Sequence, residues 1–140
     1  MWRKGYIERV KRLTGRAVEL RLEIRGGLPK AHPGQFVVLE AQINGAPLRA
    51  SFSLSGMQAD HWRLGVKEAR KGGVSEWLCG LKERTPVRVA GPFGAFALNR
   101  ALSRHTFVAG GSGISPIYCC LLYTSPSPRD LSTSRMPSSA

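Results

Sequence analysis

Val18, Leu20, Leu22 and Ile24 stand at alternate positions with Glu19, Arg21 and Glu23 between them, and this alternation limits the fold more than any other feature. A period of two puts one side of an extended chain in a core and the other in water, which a helix cannot do with the same residues. The pattern begins near Tyr6 and ends at Arg25. Gly15 interrupts it and Gly26-Gly27 closes it, so it reads as a strand, a turn and a second strand. Phe36 to Ala41 is a further apolar strand. The Asn44-Gly45 pair predicts a hairpin into Pro47–Ser55, and Trp62–Val66 and Val87–Val89 supply two shorter strands.

One segment has a different period. Val74, Trp77, Leu78 and Leu81 recur at helical spacing within Val74–Lys82, directly after Gly72-Gly73. Farther on, Phe107-Val108-Ala109 is expected to open a new strand that runs into Gly110-Gly111-Ser112-Gly113 and a helix start at Ile114 to Ile117. Many short strands with one helix, then strand, Gly-rich loop and helix, predict a small antiparallel Greek-key β barrel followed by the start of an α/β nucleotide-binding domain.

Composition narrows the class. Hydrophobic residues make up 42% of the 140, enough for a packed core without disulfides. No apolar run approaches the roughly 20 residues of a membrane span, and no apolar stretch follows the early positive charges as in a signal peptide. No membrane association and a cytoplasmic location are therefore expected. The formal charge of +12 raises nucleic acid or an acidic partner. The basic residues are scattered, however, and alternate with apolar ones as on a solvated barrel face, so nucleic-acid binding is not expected. Cys79, Cys119 and Cys120 show no metal-ligand spacing, and no metal site is expected. Cys79 reads as a small buried residue, and His32, His61 and His105 read as bystanders in turn or strand-edge contexts.

Residues 120–140 read CLLYTSPSPRDLSTSRMPSSA. Ser- and Pro-rich composition of this kind fits a disordered tail. Back-translation of Cys120–Asp130 resembles a transposase-based sequencing adapter read in frame, and Ser134–Ala140 resembles the end of the same adapter. The segment is expected to be an assembly artefact, with the native chain cut off near Cys119 just after its second domain begins. It contributes Arg129, Arg135 and Asp130, so without it the net charge falls only from +12 to +11. The expected organisation is a barrel domain over 1–102, the truncated first strand and Gly-rich loop of a nucleotide-binding domain over 103–119, and the artefact over 120–140.

Two Gly-rich loops carry candidate chemistry. Glycines let a backbone approach a pyrophosphate, and a following helix start offers unpaired N–H groups. Gly110 to Gly113 is one such loop, although its spacing is not G-x-G-x-x-G; a plain turn is the bland alternative. Gly72-Gly73-Val74-Ser75 is the other, with Ser75 readable equally as an N-terminal cap.

Five motifs in order now resemble the ferredoxin–NADP reductase-like superfamily, which binds FAD in an FR-type domain. His32-Pro33-Gly34-Gln35-Phe36-Val37 is similar to its x-P-G-Q-F/Y-V strand entry. Phe52-Ser53-Leu54-Ser55 resembles the second half of its R-x-Y-S-x-x-S flavin motif. Gly72 to Ser75, followed by Trp77-Leu78, matches G-x-x-S. Gly91-Pro92-Phe93-Gly94-x-Phe96 matches G-P-F/Y-G-x-F, and Ala109 to Pro116 matches A-G-G-T/S-G-I-T/S-P.

The resemblance implies a role for each residue. Phe52 would stack on the flavin, and Ser53, the catalytic candidate, would hydrogen-bond its N5 region and aid hydride delivery. Val66 and Lys67 would lie along the ribityl or adenosine side. Gly72, Gly73, Val74 and Ser75 would hold the FAD pyrophosphate, and Gly110, Gly111, Ser112, Gly113, Ser115 and Pro116 the nicotinamide dinucleotide. Gly94 and Phe96 would shape a loop between domains. One departure stands out. The family arginine lies two residues before the aromatic, where this chain has Ala50; Arg49, the candidate for its FAD contact, lies three before, on the opposite face of a regular strand, and a bulge could bring it round.

The function that the resemblance implies is electron transfer from NAD(P)H through FAD to an iron–sulfur protein or oxygenase component. The nearest likeness is to oxygenase reductases such as the phenylacetyl-CoA epoxidase reductase group, many of which carry a C-terminal [2Fe–2S] domain. A ferredoxin, flavodoxin or flavin reductase is the rival reading, and a non-catalytic flavin-binding electron-transfer subunit is another. The fragment alone is expected to be inactive, because the rest of the nicotinamide site would lie downstream.

Overall fold

The computed structural model describes residues 1–99 and 101–124. Six strands, β1 (Trp2–Thr14), β2 (Ala17–Ile24), β3 (Phe36–Ile43), β4 (Ala46–Met57), β5 (Trp62–Lys67) and β6 (Thr85–Phe93), close into a barrel in the order β1-β2-β5-β4-β3-β6. All its pairings are antiparallel. The neighbours β2 and β5, and β3 and β6, are not consecutive in sequence, which is the Greek-key arrangement.

The alternation in β2 does what its period requires. Val18, Leu20 and Leu22 are fully buried, while Glu19, Arg21 and Glu23 keep partial access to water. Ile7, Val37, Leu39, Leu54, Leu64 and Val89 complete the barrel interior. At the β3–β4 hairpin, Ile43 pairs with Ala46 across a two-residue loop whose Asn44 and Gly45 both have positive φ, 52° and 77°. That geometry is the one Asn-Gly supports at low steric cost.

Helix α1 (Val74–Cys79) buries Val74, Leu78 and Cys79 against the barrel, with Trp77 and Leu81 packed partly on the same core. It stops short of the expected Lys82 because Gly80 takes the C-cap, its N–H donating to the Glu76 and Trp77 carbonyls. The expected strand at Phe107–Ala109 is absent: those residues are irregular, and no strand among the described residues pairs with them. A strand has no regular form without a neighbour to take its hydrogen bonds. The helix start after the glycines does form, as a single 3₁₀ turn (Gly111–Gly113) leading into α2 (Ile114–Thr124), which packs on β4.

Helix α2 runs unbroken across the 119/120 boundary expected from the sequence. Cys119 and Cys120 are both buried, and the Tyr123 hydroxyl accepts the Met57 N–H at 2.9 Å. The remainder of the expected artefact, 125–140, lies outside the described residues. Among the described residues no helix is long and apolar enough to cross a membrane.

Two loops are locked together at one end of the barrel. Gly34 has φ +99°, and an added Cβ there would overlap the Phe96 carbonyl oxygen. Gln35 reinforces the contact: its side-chain amide donates to the Gly94 carbonyl at 3.1 Å and accepts the His32 N–H at 2.8 Å. Phe36 and Phe93 pack with ring centroids 5.8 Å apart. The two motif segments around Gly34 and Gly94 are thus one structural unit.

Candidate functional site

A cleft of about 460 Å³ opens on the outside of the barrel between β4, β5 and α1. Strand alternation supplies its walls. On β5, Trp62, Leu64 and Val66 point inward, which leaves Gly65 and Lys67 facing the cleft. On β4, Leu54 is buried, so Ser51 and Ser53 lie on the outer face, while Phe52 packs partly on the core and still borders the opening.

The loop before α1 forms the far wall. Gly72 has φ +79°, a conformation that side chains rarely adopt, and this turns the chain into the helix. Gly73 is the N-cap, and no side chain caps the helix. The reading of Ser75 as a helix cap therefore gives way to another role. Its Oγ accepts the Ala69 N–H at 3.1 Å and ties the loop from 69 to 75 together. Ser75 also lines the cleft, and its hydroxyl keeps a proton to donate.

Of the residues singled out in the sequence, Arg49, Phe52, Ser53, Lys67, Gly73, Val74, Ser75 and Ser115 come together around this one cleft. Gly72 sits beside it in the loop. Val66 does not reach it through its side chain, which is 2% exposed in the barrel core; its carbonyl lies 3.8 Å from the Cys79 thiol. Burial, with Glu68 nearby, raises that thiol above the ordinary range, so Cys79 is an inert core residue. Gly110, Gly111 and Gly113 are exposed and stand apart from the cleft lining, as does Pro116. Ser112 lies within the 3₁₀ turn Gly111–Gly113. Ser115 differs from its loop: a Cβ on Gly65 would lie 3.5 Å from the Ser115 Oγ.

Arg49 takes an unexpected position. The β3–β4 ladder is regular from Ile43↔Ala46 to Phe36↔Ser53, so the bulge that would carry Arg49 to the Phe52 side is absent; the irregularity in β4 lies later, between Leu54 and Gly56. Arg49 instead donates from Nε to Glu40 at 2.8 Å and stacks over the Trp2 ring at 4.8 Å. Arg88 reaches the other Glu40 oxygen at 2.9 Å.

Sequence reasoning did not single out Arg70 or Ser51, both of which line the cleft. Arg70 was visible as a basic residue just before Gly72-Gly73, but a lone charge in a loop does not announce its neighbours. His61, read as an edge residue, is buried, with Nδ1 2.7 Å from Asp60 Oδ1. The described residues contain no cluster of three His, Cys, Asp or Glu side chains able to hold a metal ion.

The donor set has a definite chemistry. Hydroxyls at Ser53 and Ser75, the first amides of α1, and the cations Lys67 and Arg70 suit an anionic group, and Phe52 offers a ring at the same opening. A planar aromatic joined to a diphosphate fits these residues.

Comparison with known proteins agrees with this chemistry. Residues 10–98 match the family model described as "Oxidoreductase FAD-binding domain". The glycine betaine monooxygenase reductase subunit of Pseudomonas aeruginosa is 37% identical over 89 residues, covering 61% of this chain and 24% of that protein. NADH-cytochrome b5 reductase 1 of Cryptococcus neoformans is 32% identical over 100 residues, covering 69% and 34%. The solved structure of phthalate dioxygenase reductase, described as modular for electron transfer from pyridine nucleotides to [2Fe–2S], shares the fold with a TM-score of 0.70 at 22% identity, covering 89% of this chain and 40% of that one. The chain spans about a quarter to a third of the length of the two reductases matched by sequence. Barrel, cleft and matched family model agree, and the chain belongs to the oxidoreductase FAD-binding domain family.

Proposed function

We propose that this chain is the flavin-holding part of an NAD(P)H-dependent oxidoreductase that passes electrons through FAD to an iron–sulfur protein or oxygenase component. The observation that carries the reading is the single cleft in which Phe52, Ser53, Lys67 and the Gly73–Ser75 turn meet. Bound FAD would supply the redox chemistry, and the chain supplies binding and orientation. Gly72 and Gly73 allow close backbone approach to a diphosphate, while the Val74 and Ser75 amides and the Ser75 hydroxyl donate to it. Phe52 supports the ring system, and Ser53 donates a hydrogen bond at its reactive nitrogen edge. Lys67 provides a cation along the same wall. Val66 contributes through its main chain.

In this reading residues 1–102 are the FAD-binding barrel. Residues 103–119 begin an NAD(P)-binding domain, with Gly110 to Gly113, Ser115 and Pro116 toward the nicotinamide dinucleotide. Residues 120–140 are read as adapter-derived. The matched reductases support an oxygenase or haem-protein acceptor, the phthalate dioxygenase reductase likeness is compatible with a [2Fe–2S] domain farther along, and the cytoplasm is the location proposed.

Two titrations test the reading. Adding FAD to the purified chain should quench flavin fluorescence saturably. In the parent protein, anaerobic NADH or NADPH should bleach the bound flavin. A chain that fails to bind FAD removes the reading. A parent that holds FAD but resists bleaching by both nucleotides is a binding subunit rather than a reductase.

A further inference from the structure

We propose that Arg70, rather than Arg49, supplies the principal positive charge for the diphosphate of the dinucleotide; this rests on the flavin reading above. Three cations line the cleft: Arg49, Lys67 and Arg70. Arg49 is committed elsewhere. Its Nε donates to Glu40, whose side chain is only 3% exposed, and its guanidinium lies over Trp2. Its charge is thus already shared with a buried carboxylate, and giving it over wholly to a ligand would strip that carboxylate of one of its two partners.

Arg70 has no such commitment. It is exposed, and among the described residues neither it nor Lys67 forms an ion pair. Its main chain is fixed to the turn that approaches the ligand, because the Gly73 N–H donates to the Arg70 carbonyl at 3.1 Å. Gly73 packs against Arg70: a Cβ there would lie 3.3 Å from the Arg70 carbonyl oxygen and in ordinary contact with the Arg70 Cβ and Cγ at 3.5 and 3.9 Å. Arg70 and Ser75 line the same cleft, and the planar guanidinium fork can bind two phosphate oxygens at once where a lysine presents a point charge. The charge and the amide-bearing turn are thus delivered by one short loop.

The test compares FAD with riboflavin, which has the same ring system and no phosphate. Dissociation constants would be measured by fluorescence quenching for the wild type and for Arg70→Ala, Arg70→Glu and Arg49→Ala, with thermal melting to confirm folding. Arg70→Ala should weaken FAD binding about tenfold and leave riboflavin unchanged, with a larger loss for Arg70→Glu. Unchanged FAD affinity in Arg70→Ala, an equal loss for both ligands, or a greater FAD-specific loss in Arg49→Ala overturns the assignment. A wild type that binds neither ligand refutes the flavin reading itself.

Discussion

Arg49 stands directly opposite Glu40 in the β3–β4 ladder, and its Nε lies 2.8 Å from the carboxylate. Arg88 is opposite Glu40 on the other side, in the β3–β6 pairing, with a nitrogen at 2.9 Å. One nearly water-free carboxylate is therefore held by cross-strand partners on both neighbouring strands, with Trp2 beneath both guanidiniums at 4.8 and 5.3 Å. The trio joins β4, β3 and β6 across the barrel wall. Cross-strand pairs of opposite charge are a recurrent way to fix register.

This arrangement makes stability depend on acid. The Arg49 hydrogen bond, with Arg88 adding to it, holds the Glu40 carboxyl below its ordinary 4.5, against the opposing effect of burial. A carboxylate lowered on folding contributes stability that is fully present above 4.5 and is lost as pH falls through the depressed value. Glu40→Gln should lower the urea midpoint at neutral pH and lose that effect once Glu40 is protonated in the wild type. Equal destabilisation across the whole pH range would show that the charge is not what matters.

Gly34 should be the glycine least tolerant of a side chain at the barrel end. At φ +99° with the Phe96 carbonyl against it, Gly34→Ala faces both backbone strain and overlap. The strain alone is worth roughly 1–2 kcal/mol, so a total loss of at least about 2 kcal/mol is expected in urea unfolding. Gly26→Ala provides the comparison, since φ is +87° there with open space around it, and should cost only the backbone share. Equal losses at the two sites would mean that the two loops are not locked as described.

Ser53 separates binding from delivery. In the parent protein, Ser53→Ala should slow flavin reduction by NAD(P)H about tenfold while changing the FAD dissociation constant less than about threefold. Rapid-mixing absorbance at the flavin band reads the first quantity and a fluorescence titration the second. A matched loss in both would assign Ser53 to binding alone.

The sequence by itself determined the alternating strands of the barrel, the Asn44-Gly45 hairpin and the glycine turn before α1, because each depends on near neighbours. A period of two buries Val18, Leu20 and Leu22 whatever strand lies alongside. Asn-Gly supports two positive φ values, and Gly72 bends the chain without reference to distant residues. Likewise the motif order from Gly34 to Gly113 is local information, which is why the family could be read before the fold.

Tertiary structure decided what pairing and packing alone set. Strand β6 extends over Thr85–Phe93, well beyond the expected Val87–Val89, because β1 and β3 both offer it backbone partners. Phe107–Ala109 has no such partner and stays irregular. Arg49 lines the cleft, and a regular ladder also places it against Glu40, nine residues away in sequence but directly across in space. Arg70 enters the cleft only because closure of the barrel brings β4 alongside β5 and sets the loop before α1 over both. Local pattern carries conformation, whereas the company a charged side chain keeps depends on long-range closure.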